Sequence, residues 1–338
     1  MTRLPFLACL LLALISCESK EKRLAQFLLK GNLALREANT EQALYYYTQA
    51  TELDPCYVDA WNNLGTVHYR AGRFSEALFS YEKAVACDSS FLPAVINRAN
   101  TYYELNELYL ALADVQRTKR AKPDTAIAFF TEGLVKTKMR DFAGAMAAFD
   151  RALALDSLNA EVWVNRATVA YYQKDFARAR ADLRKAEQLN PNEANIYNAR
   201  ALIEAEAENY AEAIRLVEKA LRLKPDAYFV NNRGFFHLQL GDLDKAERDI
   251  NESIMADPAN GWAYRNKGIF YLTKKQYADA ERLLRQAYDR DTFIDKIDYY
   301  LGVAYFHQDK RAEACASFSR ALQSGTPVEN VYLESCKR

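Results

Sequence analysis

A spacing of 34 residues between matching small residues constrains this chain more than any other feature of it. Gly31, Gly65, Ala99, Gly133, Ala167 and Ala201 keep that step, and after one step of 33 the series resumes at Gly234, Gly268 and Gly302. Twelve residues after each stands an alanine: Ala43, Ala77, Ala111, Ala145, Ala179, Ala213, Ala246, Ala280 and Ala314. Four residues later comes a bulky side chain, at Tyr47, Tyr81, Val115, Phe149, Leu183, Val217, Ile250, Leu284 and Phe318. Proline recurs near the close of the unit at Pro55, Pro123, Pro191, Pro225 and Pro258. A fixed period of this length marks stacked supersecondary units, each sheltering its neighbours, and argues against a single core.

Each unit reads as two helices. Apolar residues between Asp59 and Tyr69, and again between Ser75 and Cys87, recur at steps of three and four, which gives a helix one oily side. Ala71-Gly72-Arg73 and Leu240-Gly241-Asp242 read as the turns inside units. Asp54-Pro55 and Asn190-Pro191 read as junctions between them, since proline removes a helical donor and restrains its predecessor. Glycine inside a helix costs about 1 kcal/mol relative to alanine. Its recurrence predicts a place where two helix backbones come too close for a side chain, with the periodic alanine as the opposing surface.

The pattern resembles the tetratricopeptide repeat, with small residues at repeat positions 8, 20 and 27, apolar or aromatic ones near 4, 11, 17 and 24, and proline at 32. Tyr57-Val-Asp-Ala-Trp-Asn-Asn-Leu-Gly65 and Ala160-Glu-Val-Trp163 carry the likeness most closely. Nine units follow, at 24–57, 58–91, 92–125, 126–159, 160–193, 194–226, 227–260, 261–294 and 295–328, the sixth one residue short, expected in its closing loop. The resemblance implies an all-α, right-handed superhelical solenoid in one unbroken stack of about one full turn. First helices would line the concave face and second helices the convex one. Residues 329–338, with Val331, Tyr332 and Leu333, read as a capping helix over the ninth unit.

Ahead of the repeats, Arg3 precedes the uncharged run Leu4 to Ile15. Twelve residues are too few for a permanent span, which takes about 20, and match the core of a secretory signal. Leu14-Ile15-Ser16-Cys17 resembles the lipobox of bacterial lipoproteins, in which the leader is cut before the cysteine and the new terminus carries diacylglycerol and usually an acyl chain. Residues 1–16 are thus expected as leader, Cys17 as the lipidation site, and 17–23 as a brief polar tether. Two or more chains hold a protein on a bilayer where one does not. Glu18 stands where some bacteria use aspartate for inner-membrane retention, so the resemblance points to the outer membrane of a bacterial envelope.

Four other cysteines follow the leader, an even number that admits three pairings in an oxidising compartment. The local solution joins Cys56 to Cys87 and Cys315 to Cys336. Arg98/Asp114, Arg166/Asp182 and Arg233/Asp249 occupy positions 7 and 23 of their units. They read as partly exposed bridges between the two helices, worth roughly 0–1 kcal/mol.

Little in the sequence speaks for catalysis. With 45 basic and 45 acidic side chains there is no electrostatic reason to expect nucleic acid. His68 and His237 fall at position 11, a packing position, and His307 stands by itself. There is no metal-binding, phosphate-cradling or nucleophile motif, so neither an enzyme nor a cofactor or metal is expected.

Binding is expected instead, at first-helix positions 2, 5, 6, 9, 12 and 13. Asn63, Asn97, Asn165, Asn232 and Asn266 share position 6, where a carboxamide can donate and accept toward a peptide backbone or be used inside the array. Tyr69, Tyr103, Tyr171, Tyr172, Phe235 and Phe306 add aromatic contact area, with Tyr228 and Trp262 at position 2. Lys138 and Arg265 are isolated basic candidates, and the two-lysine clamp that some relatives use for terminal carboxylates is absent. The expected partner is an envelope protein or peptide held by a lipid-anchored scaffold. A structural subunit using the convex face, a chaperone-like peptide binder and a glycan binder stay open.

Overall fold

The computed structural model describes residues 19–337, so the leader, Cys9 and the expected lipid site at Cys17 lie outside the described residues. Among the described residues every regular element is α-helical. Nine hairpins succeed one another. The first four are α1 (Lys20–Arg36) with α2 (Thr40–Leu53), α3 (Val58–Arg70) with α4 (Phe74–Cys87), α5 (Leu92–Glu104) with α6 (Leu108–Ala121), and α7 (Ala126–Lys138) with α8 (Phe142–Leu155). The next three are α9 (Ala160–Tyr172) with α10 (Phe176–Leu189), α11 (Ala194–Glu206) with α12 (Tyr210–Leu223), and α13 (Ala227–Gln239) with α14 (Leu243–Ala256). Then come α15 (Gly261–Thr273) with α16 (Tyr277–Arg290), α17 (Ile297–Phe306) with α18 (Arg311–Gln323), and a final α19 (Asn330–Lys337). The missing residue of the sixth unit is indeed in its closing loop, which is 224–226.

The chain divides into two compact units, the first closing at Leu158 and the second opening at Asn159. The first holds α1 to α8 and the second α9 to α19.

Within each hairpin the helices meet along the expected seam. All nine periodic alanines, from Ala43 to Ala314, are 0 or 1% exposed. The glycine, however, is not there to face the alanine. A methyl on Gly65 would stand 2.7 Å from Cε1 of Tyr81, four residues beyond Ala77. Gly31, Gly133 and Gly302 meet Tyr47, Phe149 and Phe318 in the same way. Where the small residue is alanine, at Ala99, Ala167 and Ala201, position 24 carries only Val115, Leu183 or Val217. Gly234 and Gly268 meet aliphatic side chains, Ile250 and Leu284, so a ring at position 24 always comes with glycine whereas an aliphatic residue there comes with either glycine or alanine.

One turn geometry ends all nine first helices. Ala38, Gly72, Asn106, Arg140, Lys174, Glu208, Gly241, Lys275 and Asp309 all have φ between 57° and 79°. The next N–H then donates to the carbonyl five residues back, as Arg73 does to His68 at 3.0 Å and Asp175 to Ala170 at 2.9 Å. Only Gly72 and Gly241 take up this left-handed conformation without the cost of roughly 1–2 kcal/mol that an L side chain brings. Between hairpins, Asp54, Asp88, Asp156, Asn190, Asp257 and Asp291 each accept from the backbone N–H two residues on, which shapes the short loop.

The three Arg–Asp pairs form two-pronged bridges, with N···O distances of 2.7 and 2.8 Å in every case. They sit deeper than the sequence suggested, since the carboxylates of Asp114, Asp182 and Asp249 are only 8, 5 and 10% exposed. The hairpin seam closes over them. Hydrogen bonding to Asp114 and Asp249 raises the pKa of Arg98 and Arg233. Where position 23 lacks an acid, the cation at position 7 reaches into the preceding hairpin: Arg200 to Glu187 and Lys267 to Asn251.

Both disulfides are the local ones, Cys56–Cys87 and Cys315–Cys336, with Cα–Cα distances of 5.3 and 5.5 Å. The second fastens α19 to α18. Tyr332 stacks on Phe318 with ring centres 4.9 Å apart, and Tyr299 donates to Glu329 at 2.8 Å, so the terminal helix covers the last hairpin.

Candidate functional site

The expected binding surface is the exposed side of the first helices, taken separately in each unit. In the first unit the position-6 asparagines are used inside the array. Asn63 donates to Asn32 at 3.1 Å, and Asn97 to Asn62 at 3.0 Å. Thr131, at the same position, donates to Asn100 at 2.9 Å. In the second unit Asn232 donates to Asn198 and Asn266 to Asn231, each at 2.8 Å. Asn165 turns back instead onto the carbonyl of Glu161, at 2.9 Å. Successive first helices lie side by side, so a short carboxamide reaches the next helix before it reaches outward. Asn266 goes furthest from the expectation, being 2% exposed.

Positions 12 and 13 carry a second set of contacts inside each unit. Tyr69 donates to Glu104 at 3.1 Å and Tyr171 to Glu206 at 2.9 Å, each glutamate standing on the following first helix. Burial, followed by the carboxylate charge, raises the pKa of both phenols. Between them in sequence, Lys138 donates to the carbonyl of Tyr103 at 3.0 Å and sits 4.7 Å from that ring's centre. Burial lowers the pKa of Lys138. The tyrosines are therefore held at the hydroxyl or the ring face while staying half-buried, so part of each ring is open. Tyr172 packs edge-on against Tyr171 and is 38% exposed.

Two aromatic candidates fall elsewhere. Phe306 lies edge-on to Tyr332 at 4.9 Å, under α19, because the capping helix closes over that end. Phe235 packs against the cluster of Leu238, Ile250 and Phe270, and lies beneath the guanidinium of Arg265, 5.0 Å from its ring centre. Arg265 also lies over Trp262 and Tyr300, at 5.1 and 5.8 Å. Sequence reading named Arg265 as an isolated charge, and Trp262 for its position, but missed Tyr300 and the gathering itself. An aromatic at position 9, another at 2 and a third at 6 of three successive units was the available signal.

His68 and His237 are half-buried as expected, and burial lowers the pKa of each. Nδ1 of His68 is buried without a hydrogen-bond partner. His307 stacks on Tyr277 with ring centres 4.5 Å apart. Among the described residues no three His, Cys, Asp or Glu side chains are grouped to hold a metal. On the opposite side, Tyr45 and Phe79 occupy the same place in α2 and α4 and are 59 and 53% exposed.

A family profile described as tetratricopeptide repeat matches residues 28–90, 130–194, 164–228, 198–261, 236–293 and 266–327. No curated protein sequence matches the chain. Among solved structures it resembles a chain of the APC/C hetero-tetramer Cut9–Hcn1, with a TM-score of 0.63 at 16% identity over 82% of this chain. It spans only 55% of that longer chain. It also resembles PilF of Pseudomonas aeruginosa, with a TM-score of 0.52 at 23% identity over 62% of this chain and 96% of that one. Likeness at these identities speaks to the fold alone.

Proposed function

The chain belongs to the tetratricopeptide repeat family, and we propose that it is a protein-interaction scaffold that takes an extended partner segment along its first helices. Proteins of this family are generally binding scaffolds without catalysis of their own. The observation that carries the reading is the pair of Tyr69 and Tyr103 in the first unit, each anchored by a charged neighbour on the next first helix, with Tyr171 anchored in the same way within the second. Rings fixed before a ligand arrives give contact area with little entropy left to lose. The asparagine ladder serves the array, so the tyrosines, more than the carboxamides, are the contact residues.

The scaffold is further proposed to work at a bacterial envelope membrane, the outer one by preference, carried there by lipid on Cys17. The support is the leader and the Leu14-Ile15-Ser16-Cys17 sequence. Replacing Tyr69, Tyr103 and Tyr171 with alanine should abolish capture of the partner that the lipidated protein retains from detergent-solubilised envelopes. Equal capture by the triple variant shifts the site off the first helices. Cys17→Ser should move the protein to the soluble fraction, and full membrane retention would defeat the anchor. A second reading, a subunit docked permanently by its other face, draws on exposed Tyr45 and Phe79. Under that reading Tyr45→Ser/Phe79→Ser, and not the tyrosine triple variant, loses the partner.

A further inference from the structure

Two cavities open at the same place in the repeat, each bounded by the second helix of one hairpin and by both helices of the next. In the first unit, α2, α3 and α4 bound about 450 Å³ lined by Thr48, Trp61, Leu64, His68 and Phe79, among others, with no lysine or arginine. In the second unit, α10, α11 and α12 bound about 340 Å³, and four arginines line it. Arg180 and Arg184 come from α10, Arg200 from α11 and Arg215 from α12. Arg184, Arg200 and Arg215 hold the repeat positions of Thr48, Leu64 and Phe79. The hairpin fold thus forms this hollow without a single basic side chain, and packing does not account for the arginines.

Their charge is only partly met. Glu204 and Glu212 are the acids of the lining. Arg215 forks onto Glu212, three residues back on its own helix, at 2.5 and 2.7 Å, and is 65% exposed. Arg180 reaches Glu204 only at 3.5 Å. Arg200 donates at 2.6 Å to Glu187, which stands outside the lining. Arg184 has neither a hydrogen bond nor an ion pair among the described residues, so one guanidinium is left over after every acid is counted. Exposed pairs contribute little, and Arg180 and Arg215 can be re-aimed at small cost. Arg200 is held in place by Glu187 and keeps its other donors free. A cleft dominated by one sign of charge over apolar walls, here Ile203 and Leu216, concentrates counter-ions.

We propose that this cavity binds a phosphate monoester, its oxygens held by Arg184 and Arg200 with Arg180 and Arg215 turned inward, and its ester group resting on Ile203 and Leu216. Guanidinium forks match oxyanions in geometry as well as charge. Forks converging from separate helices suit an anion with three terminal oxygens better than a carboxylate, which one fork fills. The volume falls within the roughly 300–1,000 Å³ of ordinary small-ligand sites. A soluble phosphate ester and a phosphatidic acid headgroup carry the same chemistry. The site is independent of the tyrosines on the first helices.

Calorimetry on the full chain, carrying Cys17→Ser so that no lipid is attached there, compares phenyl phosphate with methyl phenyl phosphate. The monoester should bind at least about tenfold tighter than the diester. Arg184→Gln should weaken monoester binding at least about fivefold. Lys185→Gln, an equal loss of charge one residue away and outside the cavity, should change it less than about twofold. Glu204→Gln, which takes the competing carboxylate from Arg180, should tighten it. Arg184 is exposed and unbonded, so its replacement leaves the fold intact, as circular dichroism checks. For the lipid source, flotation compares phosphatidylcholine vesicles holding phosphatidic acid with others holding phosphatidylglycerol at equal surface charge. A preference for phosphatidic acid that Arg184→Gln abolishes assigns the site to a membrane headgroup, even where phenyl phosphate fails. Binding of phenyl phosphate without that preference assigns it to a soluble ester. Equal binding of monoester and diester, an Arg184→Gln effect no larger than that of Lys185→Gln, no gain in Glu204→Gln, or no binding in either arm at millimolar ligand overturns the proposal.

Discussion

The second and fifth hairpins solve the same packing problem in opposite ways. In α3–α4, Gly65 makes room for the ring of Tyr81, whose hydroxyl donates to Thr66 at 3.1 Å, and positions 7 and 23 hold Leu64 and Ser80. In α9–α10, Ala167 stands opposite only Leu183, and positions 7 and 23 hold the fork of Arg166 on Asp182. The third and seventh hairpins, which also carry the fork, likewise have an aliphatic residue at 24, Val115 and Ile250. None of the aromatic seams has one. The fork and a ring at position 24 thus never share a hairpin, while the sixth and eighth hairpins, with Val217 and Leu284, have neither.

The largest test of this comparison breaks the fork. Asp182→Ala strands Arg166 in a seam where it is 14% exposed, and should cost close to the 3–5 kcal/mol of a broken buried pair. Importing the second hairpin's solution whole, as Arg166→Leu/Asp182→Ser, should restore stability to within about 1 kcal/mol. Urea unfolding reads both, and equal losses in the single and double variants would refute the equivalence of the two seams.

Next in size is the glycine. Gly65→Ala drives a methyl into the Tyr81 ring and should cost about 1–3 kcal/mol, most of it recovered in Gly65→Ala/Tyr81→Leu. Additive losses in that double-mutant cycle would show that the two sites are independent after all. Ala167→Gly, by contrast, should lose only about 1 kcal/mol of helix propensity plus a small void.

The turn comes third. Lys174 holds φ at 61° where Gly72 holds 70°, so Lys174→Gly should raise stability by roughly 1 kcal/mol and Gly72→Lys lower it by a similar amount. Thermal unfolding of the two variants decides this.

The smallest effect concerns pH. His68 sits at position 11 of the second hairpin, where the fifth has Ala170. Burial, with help from Arg73, depresses its pKa, so folding favours the neutral ring. Above about 6.5 both states are neutral and the residue is silent. As pH falls below that value the unfolded chain takes up the proton first, and stability is lost until the folded pKa is passed. Hydrogen exchange in 58–87 should therefore quicken on acidification, while 160–189 gains no such sensitivity at this position. His68→Phe should remove the dependence.

Much of this could be read from residues alone. Gly31 to Gly302 and Ala43 to Ala314 place nine hairpins, and of the three cysteine pairings the sequence admits, the local one is formed. The turn at Lys174 or Glu208 could not be found by looking for glycine, since seven of the nine left-handed positions carry a side chain and the hairpin enforces the geometry regardless. The binding face was legible as a set of positions but not as a set of free groups. Asn97 and Asn232 looked available and are occupied by Asn62 and Asn198, 35 and 34 residues earlier.

Short-range chemistry, repeated with one period, was enough to determine the all-helical hairpin array, its seams and its covalent staples, because every contact needed for them lies within a unit or between adjacent units. What tertiary structure decided is which of those contacts close. It set the division at Leu158, the cover of α19 over Phe306, and the enclosure of Arg265 by three rings without an acid. Each depends on the summed packing of several hairpins at once, a quantity that no single repeat encodes.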